Sequence, residues 1–402
     1  MGFIPHIKVL LCAPPPSGAV GGGYLYNQAL SQYPEFYSHY VTSKALRTQL
    51  PLLLADHARA GDIITHVLLD SLYLATPADV TAAQEALRAH RRAELSWPQI
   101  GLLAHLLPSQ NLQGRSSSAK MHAEATESIL LSAFSFAVAP SYFAAGELVR
   151  LGLPATRVGV AYPAPIATPG NAPGAAWGKS RGAARGAHTA LAGSPTPAGS
   201  PPVTFLSVGN WSERKNLTQL VPIFGALKQY DWHWHIVVGD AAQQDMLGRA
   251  AFTSKLHDTG VQDRVTIENQ PTRARLHELY QVADCFIMAP LAETYGIVFA
   301  EALSYGCIVA APNSAPFTEF LTPGHDSFLC QLHRTEEWID AIKTVITHPE
   351  QRMFMQSNAP QASAARRTHQ NTAYDFSAFL LGLSATGAPR VRASLLSPLS
   401  RP

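Results

Sequence analysis

Short apolar runs alternate with helix-like stretches in two series along this chain, and that alternation limits the folds open to it. In the first series the runs fall at 8–13, 39–42, 62–68, 100–104, 134–139 and 157–160, with helical periodicity over 79–94 and 142–151. In the second they fall at 203–208, 235–239, 264–268, 285–288 and 308–311, with helices expected over 217–229, 243–257, 272–282 and 297–305. Strands interleaved with helices in this way predict parallel sheets covered on both faces. The chain of 402 residues is long enough for two such units. The expected fold class is α/β, built from two doubly wound units.

The alternation stops between residues 168 and 202, which are rich in Ala, Gly, Pro and Ser and hold Arg and Lys but no acidic residue. Such a stretch buries little apolar surface and reads as a flexible insertion in an interdomain linker. A basic loop that touches phosphates or lipid headgroups is the other reading. The expected organisation is an N-terminal domain over 1–167 and a second domain over 203–362. A segment over 363–386 follows, with an amphipathic helix near 372–383, and then a disordered tail over 387–402.

Charged residues make up 14% of the chain and nearly cancel, for a formal net charge of +2. That balance argues against a dedicated nucleic-acid binder, which presents a basic face. Cys12, Cys285, Cys307 and Cys330 are widely spaced, form no CxxC and read as reduced core residues of a cytoplasmic protein. The first residues lack the basic region of a signal peptide, and His6 stands where a myristoylation motif needs Ser or Thr. The longest largely apolar run, 129–139, is well short of the ~20 residues that span a bilayer. A soluble, cytoplasmic protein is expected, with peripheral membrane contact left open.

Three elements carry chemistry. The first is Gly18-Ala19-Val20-Gly21-Gly22-Gly23-Tyr24, after the first strand, where Gly22 and Gly23 would let the backbone approach a ligand before a helix begins. It is not the GxGxxG fingerprint, so a nicotinamide or flavin reading is weak. The second runs from Ser207 to Leu217, where Arg214 and Lys215 near a helix start could neutralise a diphosphate, or could form a solvated surface pair. The third is Ala292-Glu293-Thr294-Tyr295-Gly296-Ile297-Val298-Phe299-Ala300-Glu301, between two apolar runs. A helix starting near Gly296 aims unpaired N–H groups at the loop and forms an anion site flanked by Glu293 and Glu301. Two carboxylates beside an anion site suit a nucleotide sugar. They could also be a glycosidase acid and nucleophile, but simple hydrolysis has no use for a phosphate-receptive helix start. No DxD-type pair stands where a metal–diphosphate bridge would need it, so no cofactor and no essential metal are expected.

These elements resemble those of GT-B fold glycosyltransferases of the large retaining class called family 4, or glycosyl transferases group 1. The matching pieces are the Gly21–Gly23 turn, Ala139-Pro140-Ser141-Tyr142-Phe143 with Leu151-Gly152-Leu153-Pro154, the Gly209…Lys215-Asn216 loop, and Glu293-x7-Glu301-Ala302-Leu303-x2-Gly306. The resemblance implies two Rossmann-like domains facing a central cleft, a nucleotide-diphosphate sugar as donor and a sugar, lipid or other hydroxyl as acceptor. It also implies that Lys215 binds the donor diphosphate, that Glu301 accepts hydrogen bonds from the ribose, and that Glu293 with the backbone of Thr294, Gly296, Ile297 and Val298 holds the donor sugar and phosphates. His105 matches a position near the reaction centre, and 268–271 would run past the base. The final helix would cross back onto the first domain. Two departures stand out: Asn210 sits where the family commonly has Arg, and the stretch from Asn313 to Glu319 lacks the family's glycines. The first leaves a non-catalytic GT-B protein that binds a nucleotide or a partner as the alternative.

Overall fold

Every residue of the first strand, β1 (Val9–Ala13), is buried, as a short apolar run becomes when helices cover both faces of a parallel sheet. A computed structural model of the chain describes residues 7–16, 22–91, 98–112, 116–165, 201–239 and 246–386. The expected glycine turn up to Gly21, the insertion as far as residue 200 and the tail 387–402 lie outside these residues. Beside β1 stand β2 (Phe36–Tyr40), β3 (His66–Asp70), β4 (Gln99–Leu103), β5 (Phe136–Ala139) and β6 (Val158–Val160), all parallel, in the order β2-β1-β3-β4-β5-β6. Their crossovers carry α1 (Gly22–Leu30), α2 (Ser43–Arg59), α3 (Pro77–Arg91), α4 (Ser117–Leu131) and α5 (Tyr142–Arg150).

The second sheet contains β7 (Val203–Gly209), β8 (Trp232–Val238), β9 (Val265–Asn269), β10 (Cys285–Ile287), β11 (Ile308–Pro312) and β12 (Ser327–Cys330). It is also parallel throughout, in the order β12-β11-β10-β7-β8-β9. Its connecting helices are α6 (Leu220–Ala226), α7 (Met246–Thr259), α8 (Arg273–Val282) and α9 (Ile297–Ser304). The helices α10 (Thr335–Thr347), α11 (Pro349–Asn358), α12 (Ser363–Arg366) and α13 (His369–Thr386) follow. The predicted pair of doubly wound α/β units is present.

Several element boundaries differ from expectation. The run 62–68 opens on Asp62 and Ile63, and Ile63 is largely exposed after the turn at Gly61, so the strand begins only at His66. The strand expected at 39–42 starts three residues earlier and ends at Tyr40, because Phe36 is its buried anchor. β8 starts at Trp232 rather than 235; Trp232 and Trp234 point into the core and alternate with half-buried His233 and His235. β12 and α11 were not anticipated. The single helix expected over 217–229 is a 3₁₀ turn, Leu217–Gln219, followed by the shorter α6.

Strand order fixes where ligands can bind. The chain steps from β1 out to β2 and resumes on the other side with β3; in the second sheet it runs β7, β8, β9 and resumes at β10. The carboxyl ends of β1 and β3, and of β7 and β10, therefore border the crevices where open α/β sheets bind ligands. The last helix, α13, packs on the first sheet: Phe376, Leu380 and Leu383 share a core with Val9, Leu11, Tyr26 and Phe36. Arg367 Nε and Thr372 Oγ1 both donate to the Tyr162 carbonyl, each at 2.7 Å. All four cysteines are free and buried. Among the described residues no helix is long and apolar enough to cross a membrane.

Candidate functional site

The loop after β7 and the loop after β10 meet at the switch point of the second sheet. Lys215 Nζ donates to Glu293 Oε2 at 2.7 Å, and Arg214 Nη1 donates to the same oxygen at 3.2 Å. Arg214 also holds the Ala292 carbonyl at 2.8 Å, while the Leu291 N–H donates to the Arg214 carbonyl at 2.8 Å. Asn216, which takes a left-handed φ of 52°, donates to the Ala289 carbonyl at 3.0 Å and pins the two loops together. Burial alone would raise the Glu293 carboxyl, but Lys215 and Arg214 overcome it and hold the group at about 2. Burial also pulls the Lys215 ammonium below its ordinary value, with Glu293 opposing and Arg214 reinforcing the shift. Two cations against one carboxylate leave one positive charge in excess, which favours an incoming anion.

Directly after Glu293 the chain turns through Gly296 at φ +84°, a conformation that favours glycine, and α9 begins at Ile297. A Cβ at Gly296 would lie 2.8 Å from the Phe299 ring, so the site also needs the missing side chain. The first-turn N–H groups of α9 thus start beside the glutamate and its cations. One turn on, Glu301 is buried and accepts from Tyr280 Oη at 3.0 Å, with Tyr280 stacked on Tyr305. Tyr280 was not anticipated from the sequence.

The first sheet faces this loop through its own switch point. At Gly22 a Cβ would stand 2.9 Å from Ile297 Cγ2, so only glycine lets α1 approach α9 this closely. Gly23 lies against the ring of His105, 3.1 Å from its Cδ2 by the same measure. His105 Nε2 is 2.9 Å from Asn27 Oδ1 and 3.5 Å from Asp70 Oδ2, and its ring meets Tyr26 edge-on. Asp70, fully buried at the end of β3, accepts from Asn27 Nδ2 at 2.8 Å and from the Leu72 N–H at 2.9 Å. Burial pulls the imidazole below its ordinary value while Asp70 pushes the other way. Asn27 and Asp70 were missed, although a carboxylate closing the apolar run at the carboxyl end of β3 was a readable signal.

Two further contacts tie the units together. Ser141 Oγ donates to the Thr294 carbonyl at 2.5 Å and accepts from the Ala144 N–H at 3.0 Å. Glu319 accepts from the N–H groups of Tyr142 (3.0 Å) and Phe143 (2.7 Å) and from Tyr162 Oη (2.9 Å), so one carboxylate of the second unit caps α5 of the first. Glu319 closes the stretch without glycines. Asn210 packs over Gly239 at the end of β8, in the place a Cβ at 239 would take. The segment 268–271 leaves the carboxyl end of β9, where Glu268 is held by Arg275 at 2.8 Å. Among the described residues no three His, Cys, Asp or Glu side chains gather as metal ligands.

Residues 195–362 match the model of the family described as glycosyl transferases group 1. The chain is 24% identical over 169 residues to a GDP-mannose:cellobiosyl-diphosphopolyprenol alpha-mannosyltransferase of Xanthomonas oryzae, spanning 42% of this chain and 44% of that protein. It is 31% identical over 107 residues to a D-inositol 3-phosphate glycosyltransferase of Mycobacteroides abscessus, 27% of this chain and 24% of that one. The match thus spans less than half the length of these curated relatives. Among solved structures, Anabaena HepE in complex with UDP and glucose superimposes with a TM-score of 0.69 at 16% identity, covering 93% of this chain and 99% of that one. The sucrose-phosphate synthase of Thermosynechococcus elongatus gives 0.68 at 16% identity, covering 94% and 99%. The chain has the GT-B fold, and its residues 195–362 carry the sequence pattern of glycosyl transferases group 1.

Proposed function

We propose that the protein is a glycosyltransferase that moves a sugar from a nucleotide-diphosphate donor to an acceptor hydroxyl with retention of anomeric configuration. The observation that carries this reading is the Glu293–Lys215–Arg214 cluster beneath the start of α9, with its excess positive charge at the switch point of the second sheet. In this reading 203–362 holds the donor and 1–167 the acceptor. The bond between the anomeric carbon and the diphosphate breaks, and Lys215, Arg214 and the α9 N-terminus meet the leaving charge. The acceptor oxygen enters from the same face, beside His105, which Asp70 and Asn27 orient, and the acceptor's hydroxyl proton passes to the departing diphosphate oxygen. Glu293 places the sugar through the loop it organises, and Glu301 receives the ribose hydroxyls. Thr294, Gly296, Ile297 and Val298 supply backbone to the donor, and Gly22, Gly23 and Asn210 border it. Protein side chains and a helix end suffice for the charge, so the reading needs no metal.

The name of one relative supports a nucleotide sugar, GDP-mannose, and the HepE complex with UDP and glucose supports a nucleoside diphosphate as a ligand of this fold. Glycan, polysaccharide or glycolipid synthesis in the cytoplasm, with peripheral membrane contact left open, is the setting this reading fits. The test is to incubate the purified chain with a panel of nucleotide sugars and acceptors, following released nucleoside diphosphate, product anomer by NMR and ligand-dependent thermal stabilisation. Release with an axial product from an axial donor is expected. Stabilisation without turnover, with acceptors supplied, would replace the enzyme by a nucleotide-binding module.

A further inference from the structure

A cavity of about 240 Å³ opens beside α1, one helical turn beyond Gly23. Its walls are Asn27 and Gln28 from α1, Ser31 just past its end, and Ser38, His39 and Tyr40 from the edge strand β2, over a floor of β1. At 1.5 Å per residue, the cavity runs from about 6 to about 12 Å along α1 from the glycine that touches His105. That is the reach of one or two sugar rings. Asn27 is shared between the cavity wall and the His105 group, so whatever fills the cavity abuts the reaction centre.

The chemistry of the walls is selective. Among the described residues lining the cavity there is no Asp, Glu, Lys or Arg. Gln28, Ser38 and Tyr40 have side chains without a hydrogen-bond partner among the described residues, and so offer amide and hydroxyl groups to a ligand. Tyr40 is 55% exposed and packs 6.2 Å from Tyr24, carrying aromatic surface from the cavity toward Gly23. Hydroxyl-matching groups beside aromatic faces suit a pyranose ring, which is polar at its edge and apolar on its faces. A phosphate here would find no Lys or Arg, while burial and the neighbouring His57 hold His39 toward its neutral form, and behind Asn27 it would meet the buried carboxylate of Asp70.

We propose that this cavity holds an uncharged sugar ring of the acceptor, so that the acceptor is a neutral glycoside rather than a phosphorylated polyol. The inference rests on the glycosyltransferase reading, and its test is separable from it. Saturation-transfer NMR on the full chain would use methyl glycosides of glucose, galactose, mannose and N-acetylglucosamine, each as the neutral sugar and as its 6-phosphate. At least one neutral member is expected to bind, about tenfold more tightly than its phosphate. Tyr40→Ala, an exposed change that leaves the melting temperature in place, is expected to weaken that binding about tenfold. With a donor identified, the same variant raises the acceptor KM about tenfold. Phosphorylated sugars binding as well as neutral ones, no neutral glycoside binding, or an unaltered Tyr40→Ala would overturn the assignment. If no nucleotide sugar is turned over, the enzyme reading falls, while the binding comparison still decides what the cavity takes.

Discussion

Replacing Glu293 by Gln removes one negative charge from a buried group that contains two positive ones. The carboxyl is held at about 2 against an ordinary 4.5, a difference of about 2.5 pKa units, or about 3 kcal/mol at 1.36 kcal/mol per unit. The folded pKa lies below the unfolded one, so this stability is fully present above pH 4.5 and is lost as pH falls through 2. The wild-type advantage over Glu293→Gln should be on the order of 3 kcal/mol at pH 7 and should shrink to roughly half of that by pH 3. Urea unfolding followed by tryptophan fluorescence measures it, since Trp211, Trp232, Trp234 and Trp338 all lie buried in the second unit. The variant leaves Lys215 and Arg214 without their carboxylate, so pyrophosphate should raise its melting temperature more than that of the wild type. Sugar transfer should be abolished. Equal stabilities at pH 7, a gap that does not narrow toward pH 3, or an unchanged response to pyrophosphate would refute the electrostatic reasoning.

Lys215→Ala removes the cation closest to Glu293 and should lower kcat by about 10²–10³, as loss of a preorganised charge-stabilising donor does, with far-UV circular dichroism unchanged. Asp70→Asn deletes the influence that raises the His105 pKa, so the acid limb of the pH–rate profile should move to lower pH while kcat falls about tenfold or more. Glu319→Ala strips three hydrogen bonds that run between the units, worth about 1–2 kcal/mol in total after allowance for their partial exposure. Amide exchange at Tyr142 and Phe143 should accelerate about tenfold, and unchanged exchange would sink the claim that Glu319 caps α5.

The alternation of apolar runs and helical stretches was enough to read two parallel sheets, because fully buried strands such as β1, β5 and β11 need near-continuous apolar sequence. Edges read less well. β2 anchors on Phe36 alone, and β8 alternates Trp with His, so runs of apolar character misplace both. Within the site, Glu293 and Lys215 were legible because each sits in a loop whose flanking strand and helix are strongly patterned, and the two meet at 2.7 Å across 78 residues. Glu319 was not legible, since two of its three partners are backbone N–H groups 176 and 177 residues away, which any sequence supplies equally. Asn27 was hidden for a related reason: it lies in the middle of α1, and only the fold sets it between His105 and Asp70.

The last helix has a consequence for how the chain is made. Phe376, Leu380 and Leu383 complete the core face formed by Val9, Leu11 and Phe36, so segments more than 300 residues apart share one apolar layer. During synthesis the first sheet can assemble most of its strands early, but this face stays open until the final helix leaves the ribosome. At 5–20 residues per second the wait is on the order of tens of seconds. Over that interval the nascent chain exposes Phe36 and its neighbours beside an edge strand, where a chaperone or another nascent chain could bind. Closure of the first unit thus waits for residues 376–383 to be made, and truncation before residue 376 should leave a protein that forms its second unit but aggregates through its first.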